Sequence, residues 1–552
     1  MSTPTRQTSP AADPTTGAVQ VYDTTLRDGA QQEGLNLSVA DKLAIAAHLD
    51  ELGVGFIEGG WPGANPRDTE FFARARTELD LRHAVLAAFG ATRRAGGSAA
   101  TDPQVQALLD AQTPVVTLVA KSHVGHVKLA LRTTEDENLA MVRDTVEHLV
   151  AHGRRVFLDA EHYFDGYELD RDHALAVVRT AVEAGAEAVV LCDTNGGMLP
   201  HQVEEVVAAT LAASPEGTRV GMHAHNDSGC AVANSLAAVR AGATHVQGCV
   251  NGYGERTGNA DLVVVAADLV LKLGRPVVPA ECLREATRIA HAVAEITNVA
   301  PYARSPYVGA SAFAHKAGLH ASAIRVDPDL YQHTDPTAVG NDMRMLVSDM
   351  AGRASIELKG RELGHDLAGD DDVLSRVVAR VKELELAGWT FEAADASFDL
   401  LLREVRDGAR PSYFEVESWR AFIEHGKGTG PTSEATVKLH AGGRRLVATG
   451  EGNGPVNALD AALRQALIPV YPQIAGLDLT DFRVRILDAD AGTDATTRVL
   501  IDTTDGRATW TTVGVAPNLV EASWQALVDG ITYGLLKAGA SAGASTATPA
   551  TA

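Results

Sequence analysis

Between Val19 and about residue 275 the chain alternates short apolar or β-branched runs with helical patterns, at spacings of roughly 25 to 40 residues. The runs are VQVYDT (19–24), GVGFIEGG (53–60), AVLAAFG (84–90) and PVVTLVA (114–120). RVFLDAE (155–161), AVVLCDT (188–194), RVGMHAH (219–225) and HVQGCVNG (245–252) follow. Continuous apolar runs suit strands buried on both faces, the habit of a parallel sheet. Eight strand–helix units in about 250 residues match the arithmetic of a (β/α)8 TIM barrel. A doubly wound open α/β sheet is the competing arrangement of the same rhythm. The first helix has legible ends: Ser38 can cap it with Asp41 three residues on, Ile45, Leu49 and Leu52 share one face, and Gly53 suits the stop.

The pattern then changes. Residues 276–425 are dominated by helical stretches such as ECLREATRIAHAVAEI and DDVLSRVVARVKELELAG. From about residue 430, VKLHAGG and RRLVATG read as a hairpin and VNALDAALRQALIPVY as an amphipathic helix. FRVRIL, TRVLIDT and WTTVGV are strand-like, and LVEASWQALVDGITYGLLKA is a second helix. The expected organisation is a barrel over 18–280, a helical linker subdomain over 281–425 and an α+β domain over 426–537. The low-complexity ends, 1–17 and 538–552, are expected to be disordered.

Composition narrows the class. With 552 residues the chain can bury a large core without staples. Lys and Arg number 48 against 71 Asp and Glu, a formal net charge of −23. That balance argues against nonspecific binding to nucleic acid or a membrane surface, while leaving room for a local anion pocket. No run of about 18 apolar residues occurs, and the first twenty residues lack the charged start and apolar core of a signal peptide. The four cysteines, Cys192, Cys230, Cys249 and Cys282, form no CxxC pair. Buried reduced thiols in a cytoplasmic protein are therefore expected, rather than a disulfide framework or a cysteine zinc site.

Chemistry in such a barrel belongs at the carboxyl ends of the strands. There the sequence places Arg27, Asp28 and Gln31 after strand one and Glu58 at strand two. Lys121 and His123 follow strand four, and Asp159 and Glu161 end strand five. Asp193, Thr194 and Asn195 end strand six, and His223, His225, Asn226 and Asp227 end strand seven. Asn251, Glu255, Arg256 and Asn259 follow strand eight. Any one of these suits a salt bridge or a capped loop; their convergence on one face suits a site. Residues i and i+2 of a strand share a side, so His223 and His225 project together, about 6–7 Å apart at the backbone. That spacing suits two ligands of one divalent metal, to which Asp28 could add a carboxylate and Asn259 a carbonyl oxygen. Mixed N/O ligation tolerates Mg2+, Mn2+, Co2+ or Zn2+ and leaves positions for a chelating substrate. Two unrelated histidines in a polar barrel mouth are the bland alternative. GCVNGYGERTGN (248–259) is no dinucleotide fingerprint, because it follows the last barrel strand rather than opening a βαβ unit.

YDTTLRDGAQQEG (22–34), HAHND (223–227) and GYGERTGNADL (252–262) resemble the acyl-CoA-dependent α-keto acid aldol synthases, which include 2-isopropylmalate, homocitrate and citramalate synthases. The resemblance covers nearly the whole chain. GEGNGPVNALDAAL (450–463) is similar to the family's regulatory and dimerisation domain. IEGGWPGANPRD (57–68), LDAEHYFDGY (158–167) and TWTTVGVAPNLVEASWQAL (509–527) look most like the long citramalate synthases within it.

The resemblance implies a metal-dependent acyltransferase acting on acetyl-CoA and an α-keto acid, with Mg2+ or Mn2+ the foremost metals. Asp28, His223, His225 and Asn259 match the metal ligands, and Arg27 the arginine beside the keto oxygen. Thr194, in DTNGG, matches the threonine on the keto acid carboxylate, and Asp159 and Gln31 join the substrate-binding set. Glu161 matches an active-site glutamate, and His320, in AGLHASAI, a histidine delivered from the helical subdomain, either of the same or of the neighbouring chain. Many members read DTVG where this chain has DTNG, with Asn195 as the departure. The subfamily likeness points to pyruvate, (R)-citramalate and isoleucine biosynthesis via 2-oxobutanoate, with isoleucine as effector of a homodimer. 2-Ketoisovalerate, the leucine-pathway substrate, is the alternative. Acyl-CoA lyases of the hydroxymethylglutaryl type carry a cysteine in the loop after strand eight, and GYGERTGN has none. A catalytically inactive amino-acid sensor would be free to lose the ligand set, which is complete.

Overall fold

The computed structural model describes residues 19–426, 430–487, 492 and 494–541. Residues 1–17 and 542–552, both expected to be disordered, lie outside the described residues. The chain forms two compact units, one of residues up to 313 with 334–342, the other of 314–333 with 343 onward.

The first unit is a closed parallel barrel of β1 (Gln20–Asp23), β2 (Phe56–Glu58), β3 (Val85–Ala91), β4 (Val115–Lys121), β5 (Arg155–Glu161), β6 (Ala188–Asp193), β7 (Val220–Ala224) and β8 (His245–Gly248). Each expected run contains one strand. β1 pairs with β8 from Gln20↔His245 to Asp23↔Gly248, which closes the sheet and excludes the open-sheet alternative. The first helix, Val39–Glu51, has the expected capping box: Asp41 N–H donates to Ser38 Oγ at 3.2 Å, and Ser38 N–H to Asp41 Oδ2 at 2.8 Å. Ile45, Leu49 and Leu52 are fully buried, each worth about 1.5–3 kcal/mol. Gly53 ends the helix with φ of +82°.

Strand alternation sorts the barrel interior into layers. Tyr22, Phe56 and Phe157 meet across the barrel with ring centroids 5.1–5.9 Å apart. Two residues further along their strands, Glu58 and Asp159 replace the apolar floor with carboxylates. Tyr22 Oη donates to Glu58 Oε2 at 2.6 Å and lies 2.6 Å from Thr117 Oγ1. The helix Ala286–Thr297, in the stretch expected to be linker, instead packs on the barrel. It buries Ile289, Ala290 and Val293, and Arg288 pairs with Glu51 at 2.6 Å.

The second unit opens with β9 (Ala314–His315) and β10 (Arg344–Met345), a short parallel pair, and the helices Gly318–Ile324, Arg353–Glu362, Asp371–Leu386 and Asp395–Asp407. Two β-β-β-α repeats follow. β11 (Phe414–Gly426), β12 (Gly430–Ala441) and β13 (Arg444–Gly452) form one antiparallel sheet with helix Pro455–Leu467. β14 (Asp478–Ile486), β15 (Thr497–Thr504) and β16 (Thr509–Ala516) form the other, with helix Leu519–Lys537. β11 begins well before the expected boundary at 426. Its polar FEVESWRAFIEHG lacks an apolar run, and its strand identity comes from pairing with β12 along its length. Phe422, Ile423, Val447, Phe482, Val484 and Ile486 are apolar and exposed on these sheets.

Candidate active site and metal centre

Asp28, His223 and His225 converge at the carboxyl ends of β1 and β7, their ligating atoms all within 4.8 Å of one another. Asp28 Oδ2 lies 3.2 Å from His223 Nε2 and 3.8 Å from His225 Nε2. Asn259 joins through the backbone, because an isolated antiparallel bridge pairs it with His225. Its Nδ2 donates to Tyr253 O at 3.0 Å, while its Oδ1 is buried with no hydrogen-bond partner. A buried amide oxygen left bare is costly unless a ligand takes it. Burial alone would raise the Asp28 carboxyl, but Arg27, His223 and His225 outweigh it and hold the group far below the usual range. Burial, aided by His223, pushes His225 down to about 4, so its ring is neutral at pH 7, as a ligand's must be. Carboxylate, two imidazoles and an orphaned amide oxygen fit a divalent cation with N/O preference.

The loop that delivers Asn259 depends on its glycines. A Cβ on Gly254 (φ +144°) would lie 2.2 Å from Asn259 Nδ2, and one on Gly258 (φ +87°) 1.9 Å from Gly252 O.

Arg27 lies beside the cluster. Glu58, fully buried, accepts from its Nε at 2.5 Å, and the guanidinium lies 3.9 Å from the Phe89 ring centroid. One Nη is 3.5 Å from Asp28 Oδ2. Burial would lower the Arg27 pKa, but Glu58, Asp28 and Asp159 raise it, so its charge is permanent. Thr194 follows β6; its Oγ1 accepts from the His162 N–H at 2.9 Å, which leaves its own proton to donate. Glu161 pairs with Lys121 of β4. Asn195, the departure from the common motif, points outward and donates to Asp165 Oδ2 at 2.7 Å. Gln31 is exposed and, with Arg27, Trp61 and Arg67, lines a cavity of about 230 Å3. Asp159 is buried inside the barrel and accepts from Gln247. Burial and then Glu58 raise its carboxyl to about 7. His320 belongs to the second unit, where its ring stacks on Tyr331 at 4.1 Å.

Sequence reasoning missed Gln247 and His162. Alternation from His245 would have aimed Gln247 into the barrel; His162 acts through its backbone and left no side-chain signal. All four cysteines are free, three buried and Cys230 partly exposed. Among the described residues no helix is long and apolar enough to cross a membrane.

The HMGL-like family matches residues 18–292, the homocitrate synthase post-HMGL domain-like family 307–388, and the LeuA allosteric (dimerisation) domain 392–535. A relative from Streptomyces coelicolor named (R)-citramalate synthase is 68% identical, over 94% of this chain and 97% of its own. Another of that name from Aquifex aeolicus is 48% identical, over 94% and 98%. A probable 2-isopropylmalate synthase from Methanopyrus kandleri is 34% identical, over 93% and 97%. With identity sustained across barrel, linker and C-terminal repeats alike, the chain belongs to the (R)-citramalate synthase family.

Proposed function

We propose that this enzyme condenses acetyl-CoA with pyruvate and hydrolyses the thioester, releasing (R)-citramalate and CoA for isoleucine biosynthesis via 2-oxobutanoate. The carrying observation is that five relatives named (R)-citramalate synthase are 43–68% identical over nearly the whole chain, whereas the probable 2-isopropylmalate synthase is 34% identical.

Asp28, His223, His225 and Asn259 would hold a divalent cation, Mg2+ or Mn2+ foremost and Zn2+ or Co2+ as alternatives. When bound, it supplies Lewis-acid polarisation of the keto carbonyl. Arg27, fixed through Nε by Glu58, turns its Nη donors to the keto oxygen as charge develops there. A well-placed donor of this kind is worth about 3–4 kcal/mol. The Thr194 hydroxyl donates to the pyruvate carboxylate, Gln31 lines the approach, and Asp159 braces the substrate side from below. Glu161 or His320 takes a proton from the acetyl methyl group, the resulting carbon nucleophile bonds to C2 of pyruvate as the carbonyl π pair moves onto the keto oxygen, and that oxygen then takes up a proton. Such general-base help is worth about 10²–10⁴-fold. Water then cleaves the thioester.

The LeuA-type domain supports a homodimer under feedback control; isoleucine is the proposed effector and the cytoplasm the proposed compartment. In that domain, Gly454, Pro455, Val456, Asn457, Ile468 and Phe482 line a cavity of about 800 Å3. The test is CoA release with pyruvate, 2-ketoisovalerate and 2-ketoglutarate, with and without chelator. Pyruvate should be preferred and chelator should abolish turnover. Preference for 2-ketoisovalerate would overturn the substrate, and chelator-resistant turnover the metal.

A further inference from the structure

His223 Nδ1 lies 2.9 Å from Gln247 Oε1, and Gln247 Nε2 donates to Asp159 Oδ1 at 2.9 Å. All three side chains are buried: His223 is 4% exposed, Gln247 0% and Asp159 4%. Nothing in the reaction outlined above uses Gln247.

We propose that Gln247 is a positioning residue which, oriented by Asp159, fixes the His223 tautomer that can bind the metal. This inference rests on the assignment of His223 as a ligand. A glutamine amide has two ends, and a flip exchanges its acceptor for its donors. Gln247 presents its NH2 group to Asp159 Oδ1. The carbonyl end therefore faces His223 and takes the proton on Nδ1. With Nδ1 held protonated, Nε2, 3.2 Å from Asp28 Oδ2, is the nitrogen that gives up its proton to a cation. Reversed, the amide would donate to Nδ1, place the ring proton on Nε2 and block ligation. The carboxylate thus acts on the metal through two links without touching it. His225 has no such orienting partner, because its Nδ1 is buried without a hydrogen bond. Tautomer control consequently falls on His223 alone.

Partners of this kind typically change metal affinity about 10–100-fold. Mn2+ affinity, measured by electron paramagnetic resonance titration of the full chain, is the readout. Gln247→Leu is expected to weaken Mn2+ about 10–100-fold, and Asp159→Leu by a lesser factor in the same direction. Gln247→Glu, which keeps an acceptor on Nδ1 and can share a proton with Asp159, is expected to bind within a few-fold of the parent. Nitrogen NMR of the protein loaded with diamagnetic Mg2+ should show His223 protonated at Nδ1, and that Nδ1–H signal should weaken in Asp159→Leu. Unchanged Mn2+ affinity in Gln247→Leu, with binding lost in His223→Ala, would overturn the inference while sparing the metal site. Parent-like binding in His223→Ala would overturn the metal site itself. Unfolding of Gln247→Leu would leave Gln247→Glu and the Asp159→Leu tautomer to decide: loss of Mn2+ affinity in the first, or an undiminished Nδ1–H signal in the second, also overturns the inference.

Discussion

His245 shows what a single buried side chain costs this barrel. It lies at the start of β8, fully buried, with Nδ1 3.0 Å from Gln20 Oε1 and Nε2 without a partner. Burial, followed by the charges of Arg219 and Arg155, pushes it down to about 3. The unfolded chain would protonate it near 6.5. Between those values the unfolded state binds a proton that the folded barrel refuses. The penalty is absent above pH 6.5 and grows by about 1.4 kcal/mol per unit as pH falls toward 3. Asp23, raised mainly by burial to about 7, and Asp261, raised mainly by burial to about 6, work in the opposite direction. Their folded forms hold protons the unfolded chain gives up, so they cost stability as pH rises. Comparing His245→Gln with the parent cancels those terms. In urea titrations at pH 7 and pH 5, the variant should lose about 2 kcal/mol less than the parent. Equal losses would mean that His245 accepts its proton inside the barrel.

At the scale of elements, the loops after β6, β7 and β8 behave as one piece. Arg256 donates through Nε and Nη2 to Asp227 at 2.8 and 3.0 Å, and through Nη2 to Thr194 O at 2.8 Å. Ser228 N–H donates to Gly196 O at 2.8 Å and Asn226 N–H to Gly258 O at 2.9 Å. The loop that carries Thr194 is thereby registered against those carrying His225 and Asn259. Arg256→Ala should raise the KM for pyruvate about tenfold, the order expected for losing a charge-assisted hydrogen bond of about 1.5 kcal/mol. The KM for acetyl-CoA should move less than twofold; a parallel rise in both would contradict this account. The sequence disclosed the strands well and these ties poorly. VFLDAE and VVLCDT are read as strands because apolar runs must be buried, and Asp28, His223 and His225 because they end such strands. The hydrogen bonds of Arg256 depend on turn geometry, including its own φ of +57°, which composition does not reveal. β11 escaped for a related reason, since its strand state is imposed by the β12 backbone.

At the scale of the whole molecule, the C-terminal repeats add a cavity of their own to a barrel that already carries the proposed metal ligands. The cavity of about 800 Å3 lies where the GNGP turn enters helix Pro455–Leu467 and where that helix faces β14. Arg464 anchors one wall, donating to Asp460 Oδ2 at 2.7 Å and to Leu477 O. A pocket walled by Val456, Ile468, Leu477, Leu479 and Phe482, with polar groups at Asn453 and Asn457, has the apolar body and few polar fixtures that a branched amino acid needs. Narrowing it at Val456 should separate regulation from catalysis, because none of its residues lies in the barrel. Val456→Trp is expected to abolish inhibition by isoleucine in steady-state assays while leaving kcat without effector within twofold of the parent. Calorimetric titration should show isoleucine binding lost in step with inhibition, and light scattering an unchanged oligomer. Inhibition that survives in a folded Val456→Trp would move the effector away from the end of the cavity that Val456 lines.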